Sequence, residues 1–309
     1  MSLGIVLLFP FFTYIGIGFV AQRYLDKSEA ALVWMDSFVF YIAMPALLFQ
    51  TIIRAGHPTG EILVLLAATS AVTASLFLVS ASVSRIRKKG LDPAVSGLVG
   101  AYSNIGYMGP ILSVQIFGND AGLPAAMIFC SEIVVVLTLW TVTTAGRVMS
   151  IRGIGVEIVK AVGHPFVLTV VIALIFVTAD LSLATPIDAT LTGLQNAAAP
   201  CALFSLGVTL GRQRRLDFTL DITASILMKL VLHPVLVGVG LWPLLAHQPI
   251  WLGTAILIAS LPPAANVYVL ASGAGRGARQ AASGVMYGTI VSVVTVPLVI
   301  MFLMQKLVI

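Results

Sequence analysis

Charge is what this sequence has least of. Asp, Glu, Lys and Arg make up 9% of its 309 residues, against about a quarter in a soluble domain. Hydrophobic residues reach 59% and the mean hydropathy is +1.05. A soluble fold of this length has too few polar groups to cover so much apolar surface; a bilayer removes the contradiction. Cysteine is nearly absent as well. Cys130 and Cys201 each stand in an apolar run with no second cysteine or histidine at metal-ligand spacing, so both read as small buried hydrophobes and no metal is expected. Catalytic signatures are missing: there is no His-Glu-x-x-His, no Gly-x-x-x-x-Gly-Lys-Ser/Thr loop and no Gly-x-Ser-x-Gly elbow. Gly273-Ala274-Gly275-Arg276-Gly277 is glycine-rich, but no strand precedes it, and it reads as a flexible cytoplasmic turn. Neither an enzyme nor a cofactor is expected.

What is present is a series of long apolar runs. A helix needs about 20 apolar residues to cross the hydrocarbon core. On that scale the spans are expected near 3–21, 32–53, 62–84, 94–116, 122–145, 163–180, 190–210, 219–246, 250–273 and 280–304. The longest connection, roughly Gly146 to Val162, leaves no room for a separate soluble domain. The first run, Ser2 to Ala21, carries Arg23 and Lys27 after it rather than before it. A cleavable signal has the reverse order, so a first helix with its N-terminus outside is expected.

The basic residues test that count. Arg23, Lys27, Arg85, Arg87, Lys88, Lys89, Arg147, Arg152, Lys160, Arg212, Arg214, Arg215, Arg276 and Arg279 all follow odd-numbered spans. Only Arg54 and Lys306 fall on the opposite side, and Lys229 lies within a span. The positive-inside rule then puts both termini outside a cytoplasmic membrane. The net charge of +5 is a topology signal of short loops and not a nucleic-acid patch.

The two halves echo each other. Met44-Pro45-Ala46-Leu47-Leu48-Phe49 resembles Ala199-Pro200-Cys201-Ala202-Leu203-Phe204, and Ile133 to Leu139 resembles Ile290 to Val296, at nearly the same offset. Five spans per half is an odd number, so the second repeat would insert upside down, as in secondary transporters. Spans 4 and 9 are the equivalent pair, and both are interrupted: Ser103-Asn104-Ile105-Gly106-Tyr107-Met108-Gly109-Pro110 in one, Ser260-Leu261-Pro262-Pro263-Ala264-Ala265-Asn266 in the other. Proline removes a backbone donor and glycine loosens the helix. Freed backbone groups at mid-membrane are tolerated where they face protein or a water-filled cavity. Each break would create a helix N-terminus with unpaired N–H groups and a partial positive charge, which suits an anion. Asn104 and Asn266 add neutral amide donors, with Gly106 and Tyr107 beside the first break and Tyr268 and Gln115 as further lining candidates. The alternative is a pair of plain kinks relieved by neighbouring helices.

The stretches Ser103–Leu112 and Ser260–Ala271 resemble the crossing helices of the auxin efflux carrier family, which includes plant auxin exporters and bacterial carriers of malonate-like dicarboxylates. Ala43-Met44-Pro45-Ala46-Leu47 and Phe204-Ser205-Leu206-Gly207 resemble its pattern too, so the likeness spans nearly the whole chain. It implies an all-α polytopic membrane protein of ten helices in two inverted five-helix repeats, here 1–146 and 160–309. Helices 1, 2, 6 and 7 would form a scaffold; helices 3–5 and 8–10 would form a transport domain with crossed, broken helices 4 and 9. The architecture is similar to that of bile-acid sodium symporters and bacterial sodium/proton antiporters. By position, the resemblance implies Asn104 and Asn266 as substrate ligands and Pro110, Pro262 and Pro263 as the residues shaping the crossover. Plant members carry a proline where this chain has Ser103, and the long hydrophilic loop of many plant exporters is absent between spans 5 and 6. Both departures point away from auxin as the substrate.

Ionisable residues inside spans cost several kcal/mol and are functional by default. Glu132 is the deepest carboxylate, and it reads as a proton or sodium site or as an interhelical hydrogen-bond partner. Lys229 and His233 stand at i and i+4 and share a helix face. Lys229 is open to three roles: attracting an anion, pairing with Glu132 or Asp36, or snorkelling to the interface. His233 precedes Pro234 and could serve a kinked backbone. Asp36 reads as interfacial. Together these signals describe a secondary transporter that moves a small organic anion, a mono- or dicarboxylate, by alternating access, coupled to H+ or Na+ through Glu132, Lys229 and His233. The rival is a membrane ligand sensor with a carrier-like fold and no translocation. The expected partners are the anion and the lipid bilayer, with a homodimer left open.

Overall fold

The computed structural model describes residues 3–25, 29–55, 60–87, 92–144, 163, 165–212 and 216–307. The expected Gly146–Val162 connection and the basic residues Lys27, Lys88, Lys89, Arg147, Arg152, Lys160, Arg214 and Arg215 lie outside them. The described residues are mostly helical, and no strand occurs among them apart from one isolated bridge. Its helices are α1 (Leu3–Leu25), α2 (Glu29–Phe38), α3 (Met44–Ala55), α4 (Ile62–Arg87), α5 (Pro93–Ala101), α6 (Ile105–Phe117), α7 (Gly122–Thr144), α8 (Pro165–Thr178), α9 (Thr185–Arg212), α10 (Leu220–Leu227), α11 (His233–Leu245), α12 (Pro249–Ser260), α13 (Asn266–Gly273) and α14 (Ala278–Lys306). Short π segments, Val39–Ala43 and Met228–Leu232, join α2 to α3 and α10 to α11 without a break in direction.

Among the described residues, five helical stretches are long and apolar enough to cross a membrane: Ala30–Ala55, Ile62–Arg87, Asn119–Thr144, Leu220–Leu245 and Ala278–Lys306. The apolar helices α6, α8 and α12 are shorter. Isoleucine, leucine, valine and phenylalanine stand exposed along these helices, among them Leu63, Ile172, Val239 and Val294. Backbone groups in hydrocarbon must be satisfied within the helix, so an all-helical chain with apolar outer faces is the form that a bilayer permits.

Two sets of helices can be followed through the packing, and they also meet each other, α3 against α7 and α1 against α14. In one, α1 lies along α9, and α9 also meets α2 and α3, which packs on α8. The α1–α9 approach is close enough that a Cβ on Gly18 would run into the Phe204 carbonyl, and one on Gly207 into that of Ile15. Small residues at such crossings let backbones touch where no hydrophobic effect drives helices together. In the other group, α4 packs on α5, α7 and α11, and α12 packs on α11, α14, α6 and α7. Polar glue joins three of these helices. The hydroxyls of Ser80, Ser96 and Ser225 meet pairwise at 3.0–3.2 Å, and Ser80 also donates to the Ser96 carbonyl at 2.8 Å.

Ion pairs gather at the helix ends. Arg87 meets Asp221 at 2.9 Å, Arg276 meets Asp92 at 2.8 Å and Arg279 meets Asp217 at 2.9 Å. Asp92 also caps α5, accepting the N–H of Ala94 at 3.0 Å. The Gly273–Gly277 turn, expected to be flexible, is therefore tied to the start of α5 through Arg276. Gly277 sits at φ +55, the left-handed region that glycine adopts without strain.

Candidate substrate site

Two helices are interrupted, and their breaks cross. Between α12 and α13 the chain runs extended through Leu261, Pro262 and Pro263. Leu261 lies at φ −64, ψ 152, as expected of a residue before proline. Between α5 and α6 it runs through Tyr102, Ser103 and Asn104. Ser103 and Pro263 form an antiparallel bridge. The Asn104 N–H donates to the Pro262 carbonyl at 2.8 Å, and the Ala264 N–H donates to the Tyr102 carbonyl at 3.0 Å. Each break thus answers part of the backbone demand that the other creates, as buried polar groups require. One helix, α14, runs beside both. A Cβ on its Gly284 would stand 2.7 Å from Val99, near the end of α5, and one on Gly288 would meet the Pro263 ring.

The crossing satisfies its own backbone and leaves donors over. Asn104 is 2% exposed, and its Nδ2 has no hydrogen-bond partner among the described residues. It starts α6, whose first helical hydrogen bond runs from the Met108 N–H to the Asn104 carbonyl at 3.1 Å. The N–H groups of Ile105, Gly106 and Tyr107 precede that bond, the usual orphans of a helix start. The N-terminus of α13 is more closed: Val267 and Tyr268 already donate to Ala264 and Ala265, both at 3.1 Å.

Beside the crossing lies a cavity of about 440 Å³. Its wall combines Tyr102, Tyr107 and Asn266 from the two breaks with Asp36, Ser37, Phe40 and Tyr41 from α2 and the π segment after it. Ile133, Leu137, Phe166, Val33, Val269 and Leu270 complete it. Tyr102 and Asn266 both stand on that wall. Hydroxyl and amide donors set in an apolar and aromatic wall are the make-up of a small-molecule site.

Of the residues singled out from sequence, Asn266 and Tyr107 line this cavity. Asn104, Pro262 and Pro263 are buried in the crossing itself. Gly106 is half-buried against Phe129, which a Cβ would approach to 3.3 Å. Pro110 sits inside α6, nearly two turns past the break. Tyr268 is half-buried on α13 outside the cavity wall, and Gln115 is exposed towards the far end of α6. Asp36 is not merely interfacial: it lines the cavity and accepts a hydrogen bond from the Ser205 hydroxyl of α9. Tyr102 and Ser205 carried no local signal of a role, because a lone tyrosine or serine in an apolar run is ordinary. Only the fold brings them here.

Glu132, Lys229 and His233 come together elsewhere. All three are at most 1% exposed. Thr73 of α4, also fully buried, donates to Glu132 Oε1 at 3.2 Å and stands 3.3 Å from His233 Nε2. Both contacts are satisfied when His233 carries its proton on Nε2. Lys229 does not snorkel. Its Nζ donates to the Ala259 carbonyl at 2.6 Å, in the last turn of α12 before the break. A cation at that point answers both an orphan carbonyl and the negative end of the helix dipole. Glu132 lies within electrostatic reach of Lys229 and of Tyr102.

Apolar multi-pass helices and crossed, broken segments beside a polar cavity define a class, the membrane transporters. The chain matches the family model described as membrane transport protein over residues 3–157 and 147–300, and it belongs to that auxin efflux carrier-like family. It is 35% identical over 305 residues to a Rhizobium meliloti (strain 1021) protein named "Putative malonate transporter", covering 95% of this chain and 93% of the relative. It is 29% identical over 273 residues to an uncharacterized transporter of Methanothermobacter thermautotrophicus, covering 85% and 86%. It is 24% identical over 302 residues to the uncharacterized transporter YfdV of Escherichia coli (strain K12), covering 94% and 95%.

Proposed function

We propose that this transporter moves a small organic anion, a mono- or dicarboxylate, across the cytoplasmic membrane by alternating access, without enzymatic chemistry. One observation carries the proposal: the crossing pairs its own backbone yet leaves the buried Asn104 Nδ2 without an acceptor among the described residues, one residue from the orphan N–H groups that open α6. Donors of that kind, fixed in place, suit a carboxylate. The name of the Rhizobium relative agrees in substrate class.

In this mechanism the anion binds between Asn104 and Asn266, with Gly106 and Tyr107 at the first helix start. The group containing the crossing then slides against the group of α1, α2, α3, α8 and α9. Ten crossings in two inverted repeats, with both termini outside, give each break its counterpart at the same depth. Glu132, Lys229 and His233 would hold the coupling ion. With a lysine among them and few oxygen ligands, a proton suits the cluster better than sodium.

The test is uptake of labelled malonate and of a carboxylate panel into proteoliposomes. Asn104→Ala and Asn266→Ala should each lower malonate uptake by at least about tenfold, the effect of losing roughly 1.4 kcal/mol of binding. Wild-type protein that binds a carboxylate but gives no flux would make it a sensor instead. Wild-type rates in both variants would remove the proposed site.

A further inference from the structure

The cavity contains a carboxylate where an anion is meant to sit. Asp36 is on its wall, and no Lys, Arg or His is among the described residues that line it. Arg212 is within electrostatic reach of Asp36 and offsets part of that charge; its Nε donates to Gln22 Oε1 at 3.2 Å, and it is not among the described residues lining the cavity. Tyr41, Tyr102 and Tyr107 are the other titratable side chains on the wall. On α1, the nearby Arg23 lies over the Phe19 ring, 5.4 Å from its centre. Two carboxylates cannot share so small a space while both are ionised. One proton between them turns the repulsion into a strong hydrogen bond.

Resting on the transport reading above, we propose that Asp36 contacts the substrate and shares one proton with it. The cavity would thus take a carboxylate only together with a proton, and a dicarboxylate would be bound with one of its two negative charges neutralised. Ser205 donates to Asp36 Oδ1, which leaves Oδ2 for the substrate. The binding step balances simply. An anion and H+ enter from the same side, the proton lies between the substrate oxygen and Asp36 Oδ2, and no covalent bond changes. Asp36 and Ser205 come from the α1–α2–α3–α8–α9 group, whereas Tyr102, Tyr107 and Asn266 come from the crossing group. The shared proton therefore bridges the two groups that the mechanism slides apart.

The test is malonate uptake by the full chain in proteoliposomes, as a function of pH and of a pH gradient. Wild-type uptake should rise under a gradient that is acid on the uptake side, towards a ceiling of about tenfold accumulation per pH unit for one proton. In Asp36→Asn, the amide imitates the protonated acid at every pH. Uptake at neutral pH should exceed wild type several-fold, and the stimulation by the gradient should fall by the share that Asp36 carries. Asp36→Glu should keep the stimulation. Ser205→Ala gives an independent readout: a carboxylate that loses a donor keeps its proton longer, so the pH at which uptake has fallen by half should move upward.

Undiminished gradient stimulation in Asp36→Asn overturns the proposal and leaves the transport reading standing. So does abolition in Glu132→Gln alone, or an unmoved half-point in Ser205→Ala. An Asp36→Asn protein that melts like wild type but transports at no pH also overturns it, since the carboxylate would then be needed as a charge. Wild-type uptake of an organic cation with no carboxylate transported at any pH overturns both the proposal and the transport reading of an anion.

Discussion

The two breaks at the crossing meet as partners, yet the chain makes them by different means. At the second, Pro262 and Pro263 stop α12 from within, because neither has an N–H to continue the helix. At the first, no proline stands between Ala101 and Ile105. Tyr102 still donates to the Leu98 carbonyl at 2.9 Å, completing the last turn of α5, and then the chain turns extended. What holds it there is the partner strand, through the Asn104–Pro262 and Ala264–Tyr102 hydrogen bonds. The charge compensation differs as well. Beneath the second break Lys229 caps the Ala259 carbonyl. At the first, the buried polar side-chain atoms without a partner among the described residues are neutral, Asn104 Nδ2 and Ser103 Oγ. The second break is thus built as the frame, and the first is held against it by the two backbone hydrogen bonds.

The strongest way to break this comparison is to remove the frame. Replacing Pro262 and Pro263 together by alanine takes away about 3 kcal/mol of helix opposition per residue and lets α12 run on into α13. The acceptor for the Asn104 N–H and the donor to the Tyr102 carbonyl then rotate away, and both breaks should be lost at once. Malonate uptake should be abolished in a protein that still inserts and purifies. Near-normal flux would mean that the first break stands without the second.

A smaller effect is expected from the cation beneath the frame. Lys229→Met leaves the Ala259 carbonyl and Glu132 buried without a cation. Breaking a buried charge arrangement by removing one partner costs about 3–5 kcal/mol, which should appear as a lower melting temperature in detergent. Adding Glu132→Gln to that variant should recover part of the loss, because the carboxylate no longer needs a counter-charge. Equal melting of wild type and Lys229→Met would show that the cluster is compensated by something other than this lysine.

Much of this was legible in the residues, and the limits have physical causes. The apolar runs and the Pro262-Pro263 pair located the helices and the second break, because hydrophobic length and a missing N–H act locally. The first break was legible only as a region. Pro110 marks it in sequence, yet the proline is absorbed into α6 and the chain opens earlier, at Tyr102, where pairing with a segment about 160 residues away decides the matter. The spacing of Lys229 and His233 reads as one face of a helix. That the face is wholly buried, with Lys229 on a helix-end carbonyl, depends on the position of α12. Asp36 shows the same limit. A single aspartate near the start of an apolar helix looks interfacial until Ser205, from the other half of the chain, is brought against it.

The finest test of the comparison is to make the first break resemble the second. Ser103→Pro supplies the missing proline at the bridge residue facing Pro263. The Ser103 N–H takes no part in the two hydrogen bonds of the crossing, so the substitution removes neither. Tyr102 already lies at φ −80, ψ 109, in the extended region that a following proline requires. The Ser103 hydroxyl is buried without a hydrogen-bond partner among the described residues, so its loss leaves no partner unsatisfied. A proline that fits the native backbone stabilises by about 0.4–1 kcal/mol, through the unfolded chain. Ser103→Pro should therefore melt slightly higher than wild type and still transport. If it melts lower by more than the same amount, the first break needs backbone freedom at Ser103, and the crossing is not the static pair that its hydrogen bonds describe.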